Sequence, residues 1–402
     1  MQLLIALLLG VATGWLQVPA LVQTATSIGD VIINCLKLVS LPMIFLSVVA
    51  TISGMHSFGE VRTLGKRTLI YTVVLTFAAA LVGLGLFLTI NPASAAPAVT
   101  GTVGAPPEGT YLSFLLNIFP SNAVQVFLEN HVIGVMMMAL VLGLAILSLP
   151  KEQKKPLHTL FNALFSAVLK VTHWLVFLMP LGVWAFVTMF TDNCFHESPE
   201  KLRSFFLYIV CVLGANLLHG LVILPLFLKL KGISPLKIAK GALPALTLGF
   251  FTRSSNAALP VTLQCSQENL GHSKRVSNFT LPLCSTINMN GCSAFITITV
   301  LYVATSSGMS FSAIDYLMWA AIATLAAIGN AGVAMGCYFL SSALLAAMNV
   351  PLTLLGMILP LYTLIDMVET SLNVWSDFCI TSTVDKELGE PEPVVEGLEP
   401  QV

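Results

Sequence analysis

Six long apolar runs, at residues 3–22, 31–52, 69–90, 132–149, 160–190 and 205–230, dictate the solvent this chain must fold in. Each is close to or longer than the roughly 20 residues that cross about 30 Å of hydrocarbon. Inside a bilayer the backbone must satisfy its own polar groups, so runs of this length are read as helices. With 56% hydrophobic and 9% charged residues, a water-soluble fold of 402 residues would leave large apolar patches on its surface. The fold class expected is an all-α polytopic membrane protein. The net charge of -1 says nothing about nucleic acid, and with no basic patch interleaved with aromatics no nucleic-acid partner is expected. The run at 3–22 follows no Lys or Arg and ends in no cleavage motif, so it is read as a first spanning helix and not as a signal peptide.

Lys and Arg set the orientation. They gather in connections at 62–67, 151–155, 229–240 and 274–275, and at Lys386, which alternate crossings place on the cytoplasmic side. The connections at 92–110 and 303–315 carry none, and 191–204 carries only Lys201 and Arg203. One conflict follows. Both 231–240 and 274–275 are basic, yet the apolar stretch 241–264 between them is long enough for a single crossing. A re-entrant hairpin resolves it, with "ALPALTLGFF" going in and "LPVTLQC" returning. A second hairpin of the same plan is read at "AAIATLAAIGNAGVAMGCYFL", where Gly329, Asn330 and Gly332 break the run. Each hairpin precedes a helix bearing polar residues, an inverted repeat of the kind secondary transporters use to bind cargo near the midplane. Ordinary kinked spans would account for one such interruption more easily than for four.

The last helix supplies the chemistry. At about 100° per residue, Asp366, Glu369, Thr370, Asn373 and Asp377 share one stripe about 100° wide. Ile365, Met367, Val368, Leu372 and Val374 lie opposite, suited to packing or lipid. A helix lying on the membrane surface would carry Lys and Arg on its polar face, and this one carries none. A buried, cation-binding face is expected instead. The eight cysteines form no CxxC pair and are read as packing residues, with neither zinc nor a disulfide framework implied. The seven histidines are scattered, and neither HExxH nor GxSxG occurs, so an enzyme is not expected. A channel would need a continuous pore lining, whereas these polar residues cluster.

The segments "FFTRSSNAALPVT", "STINMNG" and D-x-x-x-T-x-x-N-x-x-x-D resemble the signature segments of the dicarboxylate/amino acid:cation symporter family, the glutamate transporter homologues. Weaker similarity extends through "FPSNAVQVFLENHVIGVMMMALVLGLAI" and "LVSLPMIFLSVV". The resemblance implies eight transmembrane helices plus two re-entrant helical hairpins, a homotrimer whose transport domain moves against a fixed scaffold, and a bacterial inner membrane with both termini cytoplasmic. It divides the chain into scaffold helices at 1–68, a third helix and external loop at 69–110, scaffold helices at 111–192 and a sixth helix at 193–230. The first hairpin follows at 231–265, the seventh helix at 274–308, the second hairpin at 311–350, the eighth helix at 351–385 and a disordered tail at 386–402.

Position by position, the resemblance implies that Asp366 pairs with a substrate ammonium and that Thr370, Asn373 and Gly332 contact the substrate. Ser254 and Ser255 would donate to its α-carboxylate, with Arg253 beside them at the hairpin tip. Asn288, Asp377, Asn373 and the Cys284 carbonyl would hold one sodium. A second would lie between Thr286 and the carbonyls of Ala327, Ile328 and Asn330. Hard cations take such oxygen ligands. Tyr71 and Thr76 are candidates for the family's third-helix cation ligands.

Two departures bear on specificity. Glu369 stands where members taking acidic substrates carry Arg, and Asn290 stands where most have an Asp of a third sodium site. With "FFTRSS" and "ITITV", these details are most similar to the bacterial sodium/serine-threonine branch. The function implied is sodium-coupled symport of a small neutral amino acid, with a sodium- or proton-coupled glutamate, aspartate or dicarboxylate symporter as the alternative. No cofactor is implied beyond sodium as coupling ion.

Overall fold

The structure, a computed structural model, describes residues 2–54, 61–95, 122–128, 132–196, 199–330, 332 and 335–388. Among these, every regular element is helical. Apart from the one-turn helix Gln125–Leu128 and short π and 3-10 turns, they are in chain order α1 (Gln2–Leu16), α2 (Pro19–Ser53), α3 (Lys66–Ile90), α4 (Val132–Ser148), α5 (Lys151–Phe177), α6 (Met179–His196), α7 (Pro199–Leu218) and α8 (Leu224–Leu230). Then follow α9 (Pro235–Thr252), α10 (Ser255–Gln264), α11 (Lys274–Ile287), α12 (Asn290–Ser306), α13 (Ala313–Ile328), α14 (Gly336–Ala347) and α15 (Thr353–Leu388). Four described stretches are by themselves long and apolar enough to cross a membrane: Thr63–Ile90, Leu202–Leu230, Lys274–Ser306 and Thr353–Leu388.

Three of the apolar runs divide differently from their hydrophobicity. The run at 3–22 breaks at Gln17, which takes a left-handed backbone (φ +51), and Pro19 then opens the 35-residue α2. The run at 160–190 is two helices, because Pro180 lacks the N–H a continuous helix would need and α6 starts afresh at Met179. The run at 205–230 passes from α7 to α8 through one π-helical turn, His219–Ile223. Most of the connection at 92–110, and Pro120 and Ser121, lie outside the described residues.

Two packed groups emerge. In one, α2 packs on α4, α5 and α6, and α1 packs on α6. In the other, α3 packs on α7, α12 and α13, and α15 packs on α9, α11 and α12. The groups meet where α14 touches α2 and α15 touches α6. Large side chains such as Trp15, Leu38, Trp174, Phe206 and Leu221 remain exposed, as a lipid-facing surface requires.

Each segment read as a hairpin holds two helices, and 331, 333 and 334 in the second lie outside the described residues. α9 and α10 pack against each other around Arg253 and Ser254. α13 opens with a capping box, in which Ser312 N donates to Asp315 Oδ2 (2.7 Å) and Asp315 N to Ser312 Oγ (3.3 Å). It ends at Ile328, and α14 resumes at Gly336. The apolar face of α15 proves to be a packing face, with Ile365, Leu372 and Val374 all buried. The helix also runs on to Leu388, past the expected boundary at 385. Its last turn is engaged: Asp385 accepts from Ser273 N (3.0 Å) and Oγ (2.8 Å), and Lys386 Nζ donates to the carbonyls of Lys231 and Gly232. Lys231 Nζ meets Glu387 Oε1 at 2.8 Å and the Tyr71 hydroxyl at 2.6 Å. Those two partners hold the Lys231 ammonium above its ordinary pKa. Residues 389–402 are outside the described part.

Candidate functional site

The polar stripe of α15 is buried against the break between α11 and α12. Asp366 is 4% exposed, Glu369 0% and Asp377 2%. Asn288 and Met289 leave the helical region (φ -94, ψ 76 and φ -109, ψ 64), which ends α11 and frees backbone groups at that depth. Gly291 allows the close approach: a Cβ there would sit 2.8 Å from Glu369 Cα. Its N–H donates to Asn373 Oδ1 at 2.9 Å, which ties α12 to the stripe.

Each predicted residue has a definite place. Asp366 Oδ2 accepts from Met335 N at 3.1 Å, at the tip of the second hairpin, where Met335 takes a left-handed backbone (φ +64). Arg253, also left-handed (φ +55) and half-buried, lies close enough for its charge to act on Asp366. Backbone of this kind in residues other than glycine concentrates at functional sites. The hairpin tips meet where Ser254 Oγ donates to the Gly332 carbonyl at 3.3 Å. Ser255 is buried at the start of α10. Ser285 Oγ donates to Asn256 Oδ1 at 3.2 Å, joining the first hairpin to α11. Thr370 (5% exposed) makes no side-chain hydrogen bond among the described residues.

Glu369 stands apart. Tyr362 donates to its Oε2 at 3.4 Å, while Oε1 has no hydrogen-bond partner. Tyr362 is itself held by rings of Phe295 and Tyr338, with centroids 4.9 and 5.2 Å away.

The candidate cation ligands are only partly assembled. Asn288 Nδ2 donates to Asp377 Oδ1 at 2.7 Å, and the Cys284 carbonyl accepts from Asn288 N at 2.8 Å. For a cation to sit between them the amide must present its oxygen, because Nδ2 is only a donor. Asn373 is shared with the stripe, and its Nδ2 faces Met289 Sδ at 3.4 Å. In the second set, Thr286 is not joined to the other three by any hydrogen bond among the described residues. The Thr286 hydroxyl turns to the carbonyls of Pro282 and Leu283, the Ala327 carbonyl accepts from Asn330 N, and Ile328 ends α13.

Asn290 is held by three side chains: Thr76 Oγ1 donates to its Oδ1 (2.8 Å), and its Nδ2 meets Ser376 Oγ (2.6 Å) and His219 Nε2 (3.2 Å). Thr76 is therefore at the site. Tyr71 is elsewhere, with Lys231 and Glu387. Sequence reasoning missed His219 and Ser376; a lone His in an apolar helix carries no pattern. It also missed the joining of two cysteines it had taken for packing residues. Cys292 and Cys337 form a disulfide between α12 and α14, because the two helices bring their Cα atoms to 5.3 Å.

Residues 1–387 match the family model described as the sodium:dicarboxylate symporter family. The chain is 27% identical over 390 residues to the human "Neutral amino acid transporter B(0)", covering 87% of this chain and 71% of that protein. It is 27% identical over 419 residues to "Excitatory amino acid transporter 3" of Oryctolagus cuniculus (89% and 78%). Over 399 residues it is 25% identical to an "Excitatory amino acid transporter" of Caenorhabditis elegans (87% and 78%).

Proposed function

The chain belongs to the sodium:dicarboxylate symporter family, so it is a membrane transporter and not an enzyme, and from that premise we propose that it carries a small neutral amino acid, serine or threonine, together with sodium. The observation that carries this reading is the free oxygen of Glu369. A fully buried carboxylate whose Oε1 has no partner is an acceptor in want of a donor, and a substrate hydroxyl supplies one. Ionised, the same group repels a substrate carboxylate. At about 4 Å and an effective dielectric near 20, that repulsion is roughly 4 kcal/mol.

In this reading Asp366 holds the ammonium, Ser254 and Ser255 the α-carboxylate, and Thr370, Asn373 and Gly332 line the cargo. Asp377, Asn288, Asn373 and the Cys284 carbonyl bind one sodium; Thr286 with the carbonyls of Ala327, Ile328 and Asn330 binds another. Binding of cation and cargo lets the hairpin group slide against the group built on α2, an elevator-type alternation, in a homotrimer of the bacterial inner membrane with both termini cytoplasmic. The similarity to a neutral amino acid transporter supports the cargo class.

Arg253 favours a second reading. A guanidinium at the hairpin tip offers a bidentate partner to a side-chain carboxylate, and excitatory transporters are similar to this chain at the same level. Glutamate, aspartate or another dicarboxylate, driven by sodium or protons, is then the cargo. Competition of labelled serine uptake by unlabelled serine, threonine, alanine, aspartate and glutamate separates the two. Serine and threonine are expected to compete best, and Glu369→Arg should shift preference toward the acids. Tighter binding of aspartate or glutamate by the unmutated protein overturns the neutral reading.

A further inference from the structure

The two oxygens of Glu369 are not equivalent. Oε2 accepts from the hydroxyl of Tyr362, two helical turns earlier on α15, at 3.4 Å, and Oε1 has no hydrogen-bond partner. Both residues are fully buried, so solvent does not decide which oxygen is engaged. The tyrosine ring is wedged in place. It packs against Phe295 of α12 and Tyr338 of α14, with centroids 4.9 and 5.2 Å away, and the Tyr338 hydroxyl is anchored in turn by donating to the Leu355 carbonyl at 2.8 Å. Three elements thus fix the position of one hydroxyl. A phenol has a single hydrogen to give. The Asp366 carboxylate, which the same hydroxyl also faces, already has a donor in Met335 N at 3.1 Å, so the hydrogen is available to Glu369. On its other side Glu369 is closed in by α12, where a Cβ on Gly291 would lie 2.8 Å from Glu369 Cα and 3.0 Å from its Cβ. With the backbone held by α12 and one oxygen held by Tyr362, a single oxygen is left to present.

We propose that Tyr362 is a positioning residue for cargo selection: it occupies Glu369 Oε2 and so directs Oε1 at the hydroxyl of a serine or threonine cargo. The inference rests on the neutral-cargo reading above, and it adds that the preference for a hydroxyl-bearing over a plain aliphatic side chain depends on a residue that acts only through Glu369. The terminal torsion of a glutamate is broad, so a carboxylate with both oxygens open offers either of them over a range of directions. Pinned at one oxygen, it offers the other in one direction, and hydrogen bonds weaken steeply when misaligned. A cargo without a hydroxyl, such as alanine, gains nothing from that alignment and leaves Oε1 unpaired. Tyr362 therefore acts on the binding of serine and threonine and not on that of alanine.

The test measures equilibrium binding of serine and of alanine to the purified full chain in saturating sodium. Tyr362→Phe keeps the ring between Phe295 and Tyr338 and removes only the hydroxyl. It should lower the serine-to-alanine affinity ratio by about tenfold, the factor typical of one hydrogen bond to a charged group, with alanine affinity itself changed by less than about threefold. Loosened packing alone would weaken both cargoes alike. Tyr302→Phe, the same deletion at a buried tyrosine whose hydroxyl meets Ser204 Oγ at 3.2 Å, should leave the ratio unchanged. The comparison is then repeated in a Glu369→Met background, where no carboxylate oxygen remains to be positioned. There Tyr362→Phe should have no further effect on the ratio, as two residues acting as a unit are not additive. If Tyr362→Phe leaves the ratio intact while Glu369→Met lowers it, the positioning role is overturned and the neutral-cargo reading stands. An equal effect of Tyr362→Phe with and without Glu369 also overturns it. If Glu369→Met itself leaves the ratio unchanged, the role given to Glu369 fails, and the proposal with it.

Discussion

Asn288 Nδ2 donates to Asp377 Oδ1 at 2.7 Å, across the line where the broken helix meets α15. The bond satisfies the buried carboxylate with a neutral donor, which a sodium ion bound as proposed would have to displace. Removing the charge while keeping the shape therefore separates the two roles. Asp377→Asn should raise half-saturating sodium for substrate binding by at least about a hundredfold, since losing one partner of a buried pair costs about 3–5 kcal/mol. An unchanged sodium requirement in the purified variant would remove Asp377 from the cation site.

Asp366 already has a backbone partner, Met335 N, which an amide oxygen also satisfies. Asp366→Asn should thus insert and assemble normally yet lose substrate affinity by about 3–5 kcal/mol. Calorimetric titration with serine measures this, and near-normal affinity would rule out the ammonium assignment.

At Asn290 a neutral amide, held by Thr76, Ser376 and His219, stands at the position read from the sequence as a third cation site that has lost its carboxylate. An amide cannot offset the desolvation of sodium as an anion does. Reversal potentials in proteoliposomes should give one or two sodium ions per substrate, and Asn290→Asp should steepen the sodium dependence. Three ions for the unmutated protein would contradict this.

Gly291 permits the backbone of α12 to touch that of α15; a Cβ there would meet Glu369 Cα at 2.8 Å, Asn216 Oδ1 at 2.9 Å and Glu369 Cβ at 3.0 Å, and the backbone carbon cannot give way. Gly291→Ala should cost about 1–3 kcal/mol of stability, the usual penalty for overpacking, and lower the midpoint of thermal unfolding. An unaltered midpoint would show that the two helices separate freely.

The stripe of α15 was legible in the sequence because acids in an apolar helix have few physical explanations, and because a helical period puts all five residues on one side. The break between α9 and α10 was legible from a charge conflict between 231–240 and 274–275, and the break after α13 from Gly329, Asn330 and Gly332. What escaped depended on which segments pack together. Cys292 and Cys337 lie 45 residues apart, and nothing local in either helix announces the other. His219 gains meaning only from Asn290, across 71 positions. Tyr71 and Thr76 are five residues apart on α3, yet one reaches Lys231 and Glu387 while the other reaches Asn290, a separation set by the length of the helix. Helix boundaries were misplaced where a single backbone residue, Gln17 or Pro180, outweighed the hydrophobic pattern.

The last turn of α15 works as a clasp. Asp385 grips the start of α11 at Ser273, Lys386 holds the carbonyls of Lys231 and Gly232 just ahead of α9, and Glu387 closes on Lys231 and Tyr71 of α3. Three consecutive side chains thus fasten three otherwise separate helix ends to a fourth. These contacts tie the start of α9, the start of the broken helix and α3 to the end of α15, so the polar stripe and the elements around it are fastened at one end as a single packed group.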